Sequence, residues 1–275
     1  MEYTALTYRA QDGVAVITTN RPHVLNAQSR VMIEELTAAF DRAAADEAVR
    51  VIVVAGAGEH FSSGHDLGSA EEMEDRQRHP LPPNLAGQYE RAFHLYLEAT
   101  LRWRDVPKPT IAMVQGYCIM GGLMLASACD LIVASDDAKF ADRAVRWGGP
   151  HVQYNSLPWE VGGRKAKEYL FTGDWITAQE ALHLGLVNHV VPRERLEEET
   201  MALAHRIALQ DPFALRLAKA SVNQALDLMG QRNALAAAFQ TYMLSTVRRQ
   251  GQLSEGDDDW RDRVRRRDEP FGDQR

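Results

Sequence analysis

Apolar and polar residues alternate along two segments near the start of the chain, "ALTYRA" and "GVAVITT". The residues between them, Gln11-Asp12-Gly13, favour a tight turn, so the pattern predicts an antiparallel hairpin. In the next segment, "SRVMIEELTAAFDRAAADE", apolar residues recur at helical spacing after Ser29, which is a suitable N-cap. The continuous apolar run "VRVIVVAGAG" then predicts a strand buried on both faces of a parallel sheet.

A similar unit follows further along the chain. The segments "PTIAMVQG", "GGLMLASACD" and "LIVAS" predict a strand, a helix and a strand, and "AKFAD" predicts a further short strand. Between the two units, the charged and proline-containing segment "SAEEMEDRQRHPLPPNLAGQ" is expected to be a mobile loop or lid. From about Leu196 onward the pattern is helical. The sequence therefore predicts an α/β fold, with a spiral core of repeated ββα units in residues 1–195 and a helical region in residues 196–275.

The composition narrows the classes of function. The 275 residues carry a formal net charge of −7, which argues against a nucleic-acid surface and fits a cytoplasmic protein. The N-terminal residues lack the apolar stretch of a signal peptide, and no apolar run is long enough to span a membrane. Cys118 and Cys129 are the two cysteines, and the absence of CxxC or HxxxH spacing indicates buried thiols rather than a disulfide or a metal site.

Two glycine-containing loops carry the candidate chemistry. Each of them, "FSSGHDL" and "GYCIMGG", follows a predicted buried strand. Adjacent glycines at Gly121 and Gly122 are costly inside a helix, so they indicate a helix start where bare backbone comes close to another group. One backbone N–H from each loop, pointing at the same oxygen, would form an oxyanion hole. The alternative is that both loops are tight turns needed only for packing.

The chain resembles the crotonase superfamily, the enoyl-CoA hydratase/isomerase family, in four segments that keep a consistent order between Asn20 and Pro192. These segments are "NRPHVLNAQS", "VRVIVVAGAGEHFSSGHDL", "KPTIAMVQGYCIMGGLMLASACDLIVASDDAKFA" and "FTGDWITAQEALHLGLVNHVVP". The resemblance implies a crotonase-like fold, an acyl-CoA substrate and no cofactor beyond the coenzyme A moiety of that substrate. It also implies that the helical C-terminal region assembles a homotrimer or a dimer of trimers.

The same resemblance assigns roles to individual positions. The thioester carbonyl oxygen would lie between the backbone N–H groups of His65 and Gly121. The CoA nucleotide would lie along two segments and under the arginine-rich tail near Phe271. The implied CoA-binding residues of the two segments are His23, Val24, Leu25, Ala27, Ser63, Asp66, Leu67 and Gly68.

The chain departs from the family where the proton-transferring glutamates are expected. Those two positions hold Met124 and Ala144, neither of which can transfer a proton. His151 is a candidate replacement, because imidazole titrates near neutral pH, and the alternative is a hydrogen-bonded surface histidine. Asp142 could face the pocket or point elsewhere. Asp66 could act as a base or only orient its own loop.

Three functions remain open at this point. The first is an enzyme that stabilises a thioester enolate during hydration, dehydration or double-bond isomerisation. The second is an acyl-CoA thioester hydrolase that uses His151, Asp66 or Glu160 around a water molecule. The third is a catalytically inactive CoA-ester-binding protein, which Met124 and Ala144 favour.

Overall fold

The computed structural model describes residues 3–254, with side chains up to residue 248. The predicted hairpin is confirmed: strands β1 (Leu6–Gln11) and β2 (Val14–Thr19) pair antiparallel around the turn. Helix α1 (Arg30–Ala45) begins where the Ser29 hydroxyl accepts a hydrogen bond from the N–H of Met32 at 3.2 Å. Strand β3 (Val51–Gly56) is buried at every residue, as expected for an interior parallel strand.

The segment predicted as a mobile loop is largely helical, so that prediction was wrong. It contains α2 (Ala70–Arg78) and the start of α3 (Leu85–Ala92). Ser69 and Asn84 cap these helices by accepting hydrogen bonds from backbone N–H groups of the first turn. Ion pairs between charged residues one turn apart, such as Arg76 with Glu72 at 2.8 Å, add to helix stability. The chain continues through a π-helical segment, Phe93–Glu98, into α4 (Ala99–Arg104).

The second unit forms much as its apolar pattern predicts. It consists of β4 (Thr110–Val114), β5 (Tyr117–Ile119), α5 (Gly121–Ala128), β6 (Leu131–Ser135) and β7 (Lys139–Ala141). The chain then runs through α6 (Leu157–Glu160), α7 (Gly163–Thr172), β8 (Ile176–Thr177), α8 (Ala178–Leu184) and β9 (His189–Val191).

Two sheets organise these elements. The larger has the order β1-β2-β3-β4-β6-β9 and is parallel except for the first hairpin, while β5, β7 and β8 form a smaller sheet. Helix α1 packs its buried residues against one face of the larger sheet. Strands β3 and β4 therefore lead directly into the two glycine-containing loops at the same edge of the sheet.

Three helices complete the described chain: α9 (Leu196–Ala208), α10 (Pro212–Leu228) and α11 (Gln231–Ser254). Helix α9 covers the second face of the larger sheet through Leu196 and Ala204. Helix α11 packs Leu235, Phe239 and Met243 into a separate apolar cluster beside α5. No residue of α10 is buried. Among the described residues, no helix is both long enough and apolar enough to cross a membrane.

Candidate active site

The two glycine-containing loops lie against each other. Gly64 has φ +97, and a Cβ at this position would lie 2.7 Å from the Met120 Cβ and 3.1 Å from the Gly121 nitrogen. The first loop is also paired with β5 through a bridge between Ser62 and Cys118. Glycine at position 64 thus allows the backbone of one loop to approach the start of α5 on the other.

The backbone around His65 is held in an extended conformation by Gln28. The N–H of Gln28 donates to the Gly64 carbonyl at 2.7 Å, and the N–H of Asp66 donates to the Gln28 carbonyl at 2.9 Å. Successive N–H groups of an extended segment point to opposite sides, so the N–H of His65 points away from Gln28. No residue that the structure describes accepts a hydrogen bond from the His65 N–H.

The second donor position is at the start of α5. Met120, which precedes the helix, has φ 53 and ψ −117, a conformation that costs a non-glycine residue on the order of 1–3 kcal/mol. The first backbone bond of the helix runs from the Met124 N–H to the Met120 carbonyl at 3.1 Å. The N–H of Gly121 precedes that bond and has no acceptor within the described part of the chain.

Side chains fill the space next to the Gly121 Cα. A Cβ at this position would lie 2.7 Å from both the Gln28 Oε1 and the His65 Cε1, and 2.8 Å from the His65 Nδ1. Real Cβ atoms do not approach other atoms this closely. A Cβ at position 121 would therefore force the Gln28 amide or the His65 ring to move.

A cavity of about 260 Å³ opens beside the two loops. Its wall combines apolar side chains with imidazole, guanidinium, amide and phenol groups. The lining residues are Ser63, His65, Leu67, Ile119, Met120, Arg143, Ala144, Arg146, Trp147, Gly149, His151, Val152, Gln153 and Tyr242.

The His65 imidazole is held as a neutral ring. Its Nε2 lies 3.2 Å from the Gln153 Oε1, and because that oxygen is an acceptor, Nε2 carries the proton. Burial lowers the pKa of His65 to about 4, against the smaller opposing effect of the Gln153 hydrogen bond. The ring also packs on Tyr96 of the π-helical segment, with ring centroids 4.2 Å apart. Nδ1 is buried without a hydrogen-bond partner.

His151 is buried on the cavity wall rather than on the protein surface. Its Nδ1 lies 2.8 Å from the Val152 carbonyl, which can only accept, so Nδ1 carries a proton, and the tautomer of the uncharged ring is the one protonated at Nδ1. In this tautomer Nε2 is an acceptor, and no other described residue forms a hydrogen bond with it. The ring thus has one nitrogen fixed by the backbone and one available for proton transfer.

Asp142 lies behind His151 and is not on the cavity wall. Its two carboxylate oxygens accept hydrogen bonds from the N–H of Ala144 at 3.0 Å and from the N–H of Val152 at 2.8 Å. Burial raises the pKa of Asp142, while these N–H groups and the nearby His151 lower it. The carboxylate therefore ties together the two ends of the loop that carries His151.

The Asp66 carboxylate is also engaged by the protein. It forms an ion pair with buried Arg21 at 2.8 Å and accepts hydrogen bonds from the Ser69 hydroxyl and from the N–H groups of Gly68 and Ser69. Burial alone would raise its pKa, but the hydrogen bonds from Ser69, Arg21 and Gly68 outweigh this effect and lower the pKa. Asp66 thus orients its own loop and the start of α2.

The two positions expected to carry glutamate lie in different surroundings. Ala144 is part of the cavity wall, whereas Met124 is buried in the apolar cluster between α5 and α11. Glu160, the third carboxylate considered from the sequence, is not among the lining residues either. Neither Asp nor Glu is found among the described residues that line this cavity.

Comparison with known proteins gives the family. The family model for enoyl-CoA hydratase/isomerase matches residues 9–265. The chain belongs to the enoyl-CoA hydratase/isomerase family. It is 44% identical over 260 residues to EchA13 of Mycobacterium tuberculosis, covering 89% of this chain and 81% of that protein.

Solved structures of the family have the same fold. A probable enoyl-CoA hydratase from Mycobacterium thermoresistibile is similar with a TM-score of 0.82 and 46% identity, covering 89% of this chain and 97% of the other. An enoyl-CoA hydratase/isomerase from Xanthobacter autotrophicus Py2 has a TM-score of 0.81 and 36% identity, covering 89% and 88% of the two chains. The crotonase-like fold expected from the sequence is thereby confirmed.

In this family member, the structure brings together the two segments predicted to bind CoA. The N–H of Ser63 donates to the Leu25 carbonyl at 2.9 Å, so residues 23–27 and 63–68 run side by side. Leu25 and Leu67 are exposed, the His23 ring forms a hydrogen bond with Glu71, and the Ala27 carbonyl accepts from Arg21. The remaining predicted positions, Val24 and Gly68, lie in the same two segments. Phe271 lies outside the described residues.

Several residues of the site did not emerge from the sequence. Gln28 follows the predicted CoA segment directly, but its contact with Gly121 joins positions 93 residues apart. Gln153 lies two residues after His151. This closeness of an amide to a candidate acid–base residue is the signal by which the sequence could have indicated Gln153 as a residue of the site. Tyr242 reaches the cavity from α11, and nothing in its local sequence distinguishes it from other residues of a helical tail.

Proposed function

We propose that this protein binds an acyl-CoA thioester and stabilises its enolate between the backbone N–H groups of His65 and Gly121. The observation that carries the proposal is that neither N–H group has an acceptor among residues 3–254 and that both belong to loops in direct contact. The start of α5 adds partial positive charge at Gly121, which favours a developing oxyanion. The reaction is hydration, dehydration or double-bond isomerisation.

His151 is the proposed acid–base residue. It lines the cavity, its Nδ1 is fixed by the Val152 carbonyl, and its Nε2 is left to accept a proton. Asp142 would act as a positioning residue that holds the His151 loop through the N–H groups of Ala144 and Val152. Asp66, committed to Arg21 and Ser69, would support the loop that carries the first donor.

The proposed chemistry differs from that of a hydratase with two catalytic glutamates. Met124 and Ala144 cannot activate water or protonate carbon. A single imidazole can remove the α-proton of the bound thioester, which forms the enolate and an imidazolium, and the imidazolium can then return a proton to the same or to another carbon of that enolate, which suits α-proton exchange or isomerisation. We therefore expect poor hydration of simple straight-chain enoyl-CoA esters.

The test is a panel of acyl-CoA esters incubated in deuterated buffer with the wild-type protein and with His151→Ala. We expect exchange of the α-proton by the wild type and a loss of at least about tenfold in the variant, as for removal of a general acid–base group. If the two proteins exchange at the same rate, His151 is not the acid–base residue. Thiol release without exchange would support a thioester hydrolase, and binding without either reaction would support an inactive CoA-ester-binding protein.

The proposed assembly is a homotrimer or a dimer of trimers. Helix α10 has no residue buried by the described part of the chain and presents several large apolar side chains to solvent. Exposed apolar side chains on a helix that packs little against its own chain are typical of a subunit interface. The exposed residues on and beside α10 are Leu209, Phe213, Leu217, Val222, Leu228 and Met229.

A further inference from the structure

Gln28 forms hydrogen bonds with both loops that carry the proposed donors. Its backbone pairs with Gly64 and Asp66, the two neighbours of His65. Its side-chain Nε2 donates to the Gly121 carbonyl at 3.1 Å. One residue thus contacts both sides of the proposed oxyanion hole.

The surroundings of Gln28 leave it little freedom. The residue is buried, with 3% of its surface exposed. Its Oε1 and the His65 ring together occupy the space where a Cβ of residue 121 would lie. Rotation of the Gln28 side chain would break its hydrogen bond to Gly121 and leave a gap beside the Gly121 Cα. We therefore expect this side chain to keep one rotamer.

We propose that Gln28 is a positioning residue that fixes the separation and alignment of the His65 and Gly121 N–H groups. This inference rests on the proposed function, since it assigns a role only if the two N–H groups bind the thioester oxygen. Two donors stabilise one oxygen effectively only when each lies within hydrogen-bond distance of it at the same time. Gln28 does not contact the substrate in this proposal and acts through the backbone of both loops.

The test measures polarisation of the bound carbonyl directly. An acyl-CoA labelled with ¹³C at the thioester carbon is bound to the wild type, and its carbonyl stretch is recorded by Raman difference spectroscopy. The proposed function predicts a shift to lower frequency than in solution. In Gln28→Met, which keeps the side-chain volume but loses the amide, we expect a smaller shift and a kcat reduced roughly ten- to hundredfold with KM changed much less.

Gln115→Met is the matched control. Gln115 is also a buried glutamine, and its Nε2 donates to the backbone carbonyls of Gly56 and Gly58, neither of which belongs to a loop that carries a donor. Its replacement removes both of these side-chain hydrogen bonds, so we expect a loss of stability at least as large as in Gln28→Met, with the full carbonyl shift retained. Gln28→Leu provides a second amide-free variant should Gln28→Met not fold.

The outcomes separate the two proposals. A wild-type protein that binds the thioester without shifting its carbonyl stretch contradicts the proposed oxyanion hole itself. A normal wild-type shift that persists unchanged in folded Gln28→Met or Gln28→Leu overturns the role of Gln28 alone. An equal loss of shift in Gln115→Met would also overturn it, because the effect would then follow from general destabilisation.

Discussion

Glycine at position 121 illustrates how one residue serves packing and chemistry together. The sequence indicates that the glycine pair starts a helix, and the structure places α5 at Gly121. What the sequence did not predict is which side chains approach it, since Gln28 and His65 come from segments distant along the chain. Contacts of this kind depend on the register of β3 and β4, which no local pattern specifies.

We expect Gly121→Ala to reduce kcat by about 10²–10³, as for loss of one oxyanion donor, because the added Cβ must displace the Gln28 amide or the His65 ring. Gly163→Ala is the control: its Cβ would meet no atom within 4 Å at the start of α7, so activity should be unchanged. Steady-state kinetics on the best substrate of the panel provides the measurement. Equal activity of both variants would show that position 121 tolerates a side chain.

The directions in which two carboxylates near the site point could not be predicted from the sequence. Asp142 and Asp66 are each adjacent in the sequence to a residue of the cavity wall. Each nevertheless directs its carboxylate oxygens at protein N–H or guanidinium groups. Which way a side chain points from a loop depends on the tertiary hydrogen bonds that the loop forms. His151, by contrast, is the residue that the sequence offers as an acid–base group in place of the missing glutamates, and the structure places it on the cavity wall.

At the scale of elements, the strands and helices with strong apolar periodicity were predictable, whereas α2 and the start of α3 were not. Helix α2 is highly charged and derives its stability from the Ser69 cap and from ion pairs rather than from an apolar face. Arg30 of α1 forms a bidentate contact with Asp75 of α2, and this contact ties α2 to the core. An interaction between separate elements is not visible in a local pattern.

Helix α6 contains a carboxyl group whose titration should affect stability. Burial raises the pKa of Glu160 to about 7, although Arg104 nearby lowers it in part. Between the ordinary glutamate pKa of 4.5 and about 7, the unfolded chain ionises Glu160 while the folded chain keeps the proton, so stability falls as pH rises through this window. Below this window Glu160 is protonated in both the folded and the unfolded chain, so its titration does not change stability. Above the window it is ionised in both, and the full loss of stability is present.

Glu160→Gln has no carboxyl group to ionise and should not lose this stability. Its free energy of unfolding should therefore rise relative to that of the wild type between about pH 5 and about pH 8, by an amount on the order of 2 kcal/mol. The free energy of unfolding from chemical denaturation of both proteins at the two pH values is the measurement. A difference between variant and wild type that stays constant with pH would show that Glu160 has an ordinary pKa in the folded protein.

At the scale of the whole molecule, the candidate site depends on segments far apart in sequence. Residues 28, 64–66 and 121 meet because β3 and β4 are neighbours in the larger sheet, and Tyr242 of α11 closes the cavity from another side. The repeated units and the family resemblance drew attention to the two glycine-containing loops, and they allowed the fold to be predicted. The cavity wall could not be, because it is assembled from loops and from a helix whose packing has no local signature.

Helix α10 gives a prediction about assembly. Phe213 and Leu217 lie one helical turn apart, and both are more than half exposed in the single chain. Phe213→Glu combined with Leu217→Glu should lower the molar mass measured by light scattering from that of a trimer or hexamer towards that of one chain. Gln210→Glu, an exposed polar position, is the control for added charge. A wild-type protein that is already monomeric would contradict the proposed interface.

The central claim is that one thioester oxygen accepts hydrogen bonds from two backbone N–H groups. The most direct measurement is a crystal structure of the protein with a bound, non-reactive acyl-CoA thioether or ketone analogue that retains the carbonyl. We predict that this oxygen lies about 2.7–3.1 Å from the nitrogens of both His65 and Gly121. A carbonyl that contacts solvent or another part of the cavity, with both N–H groups left without the ligand, would contradict it.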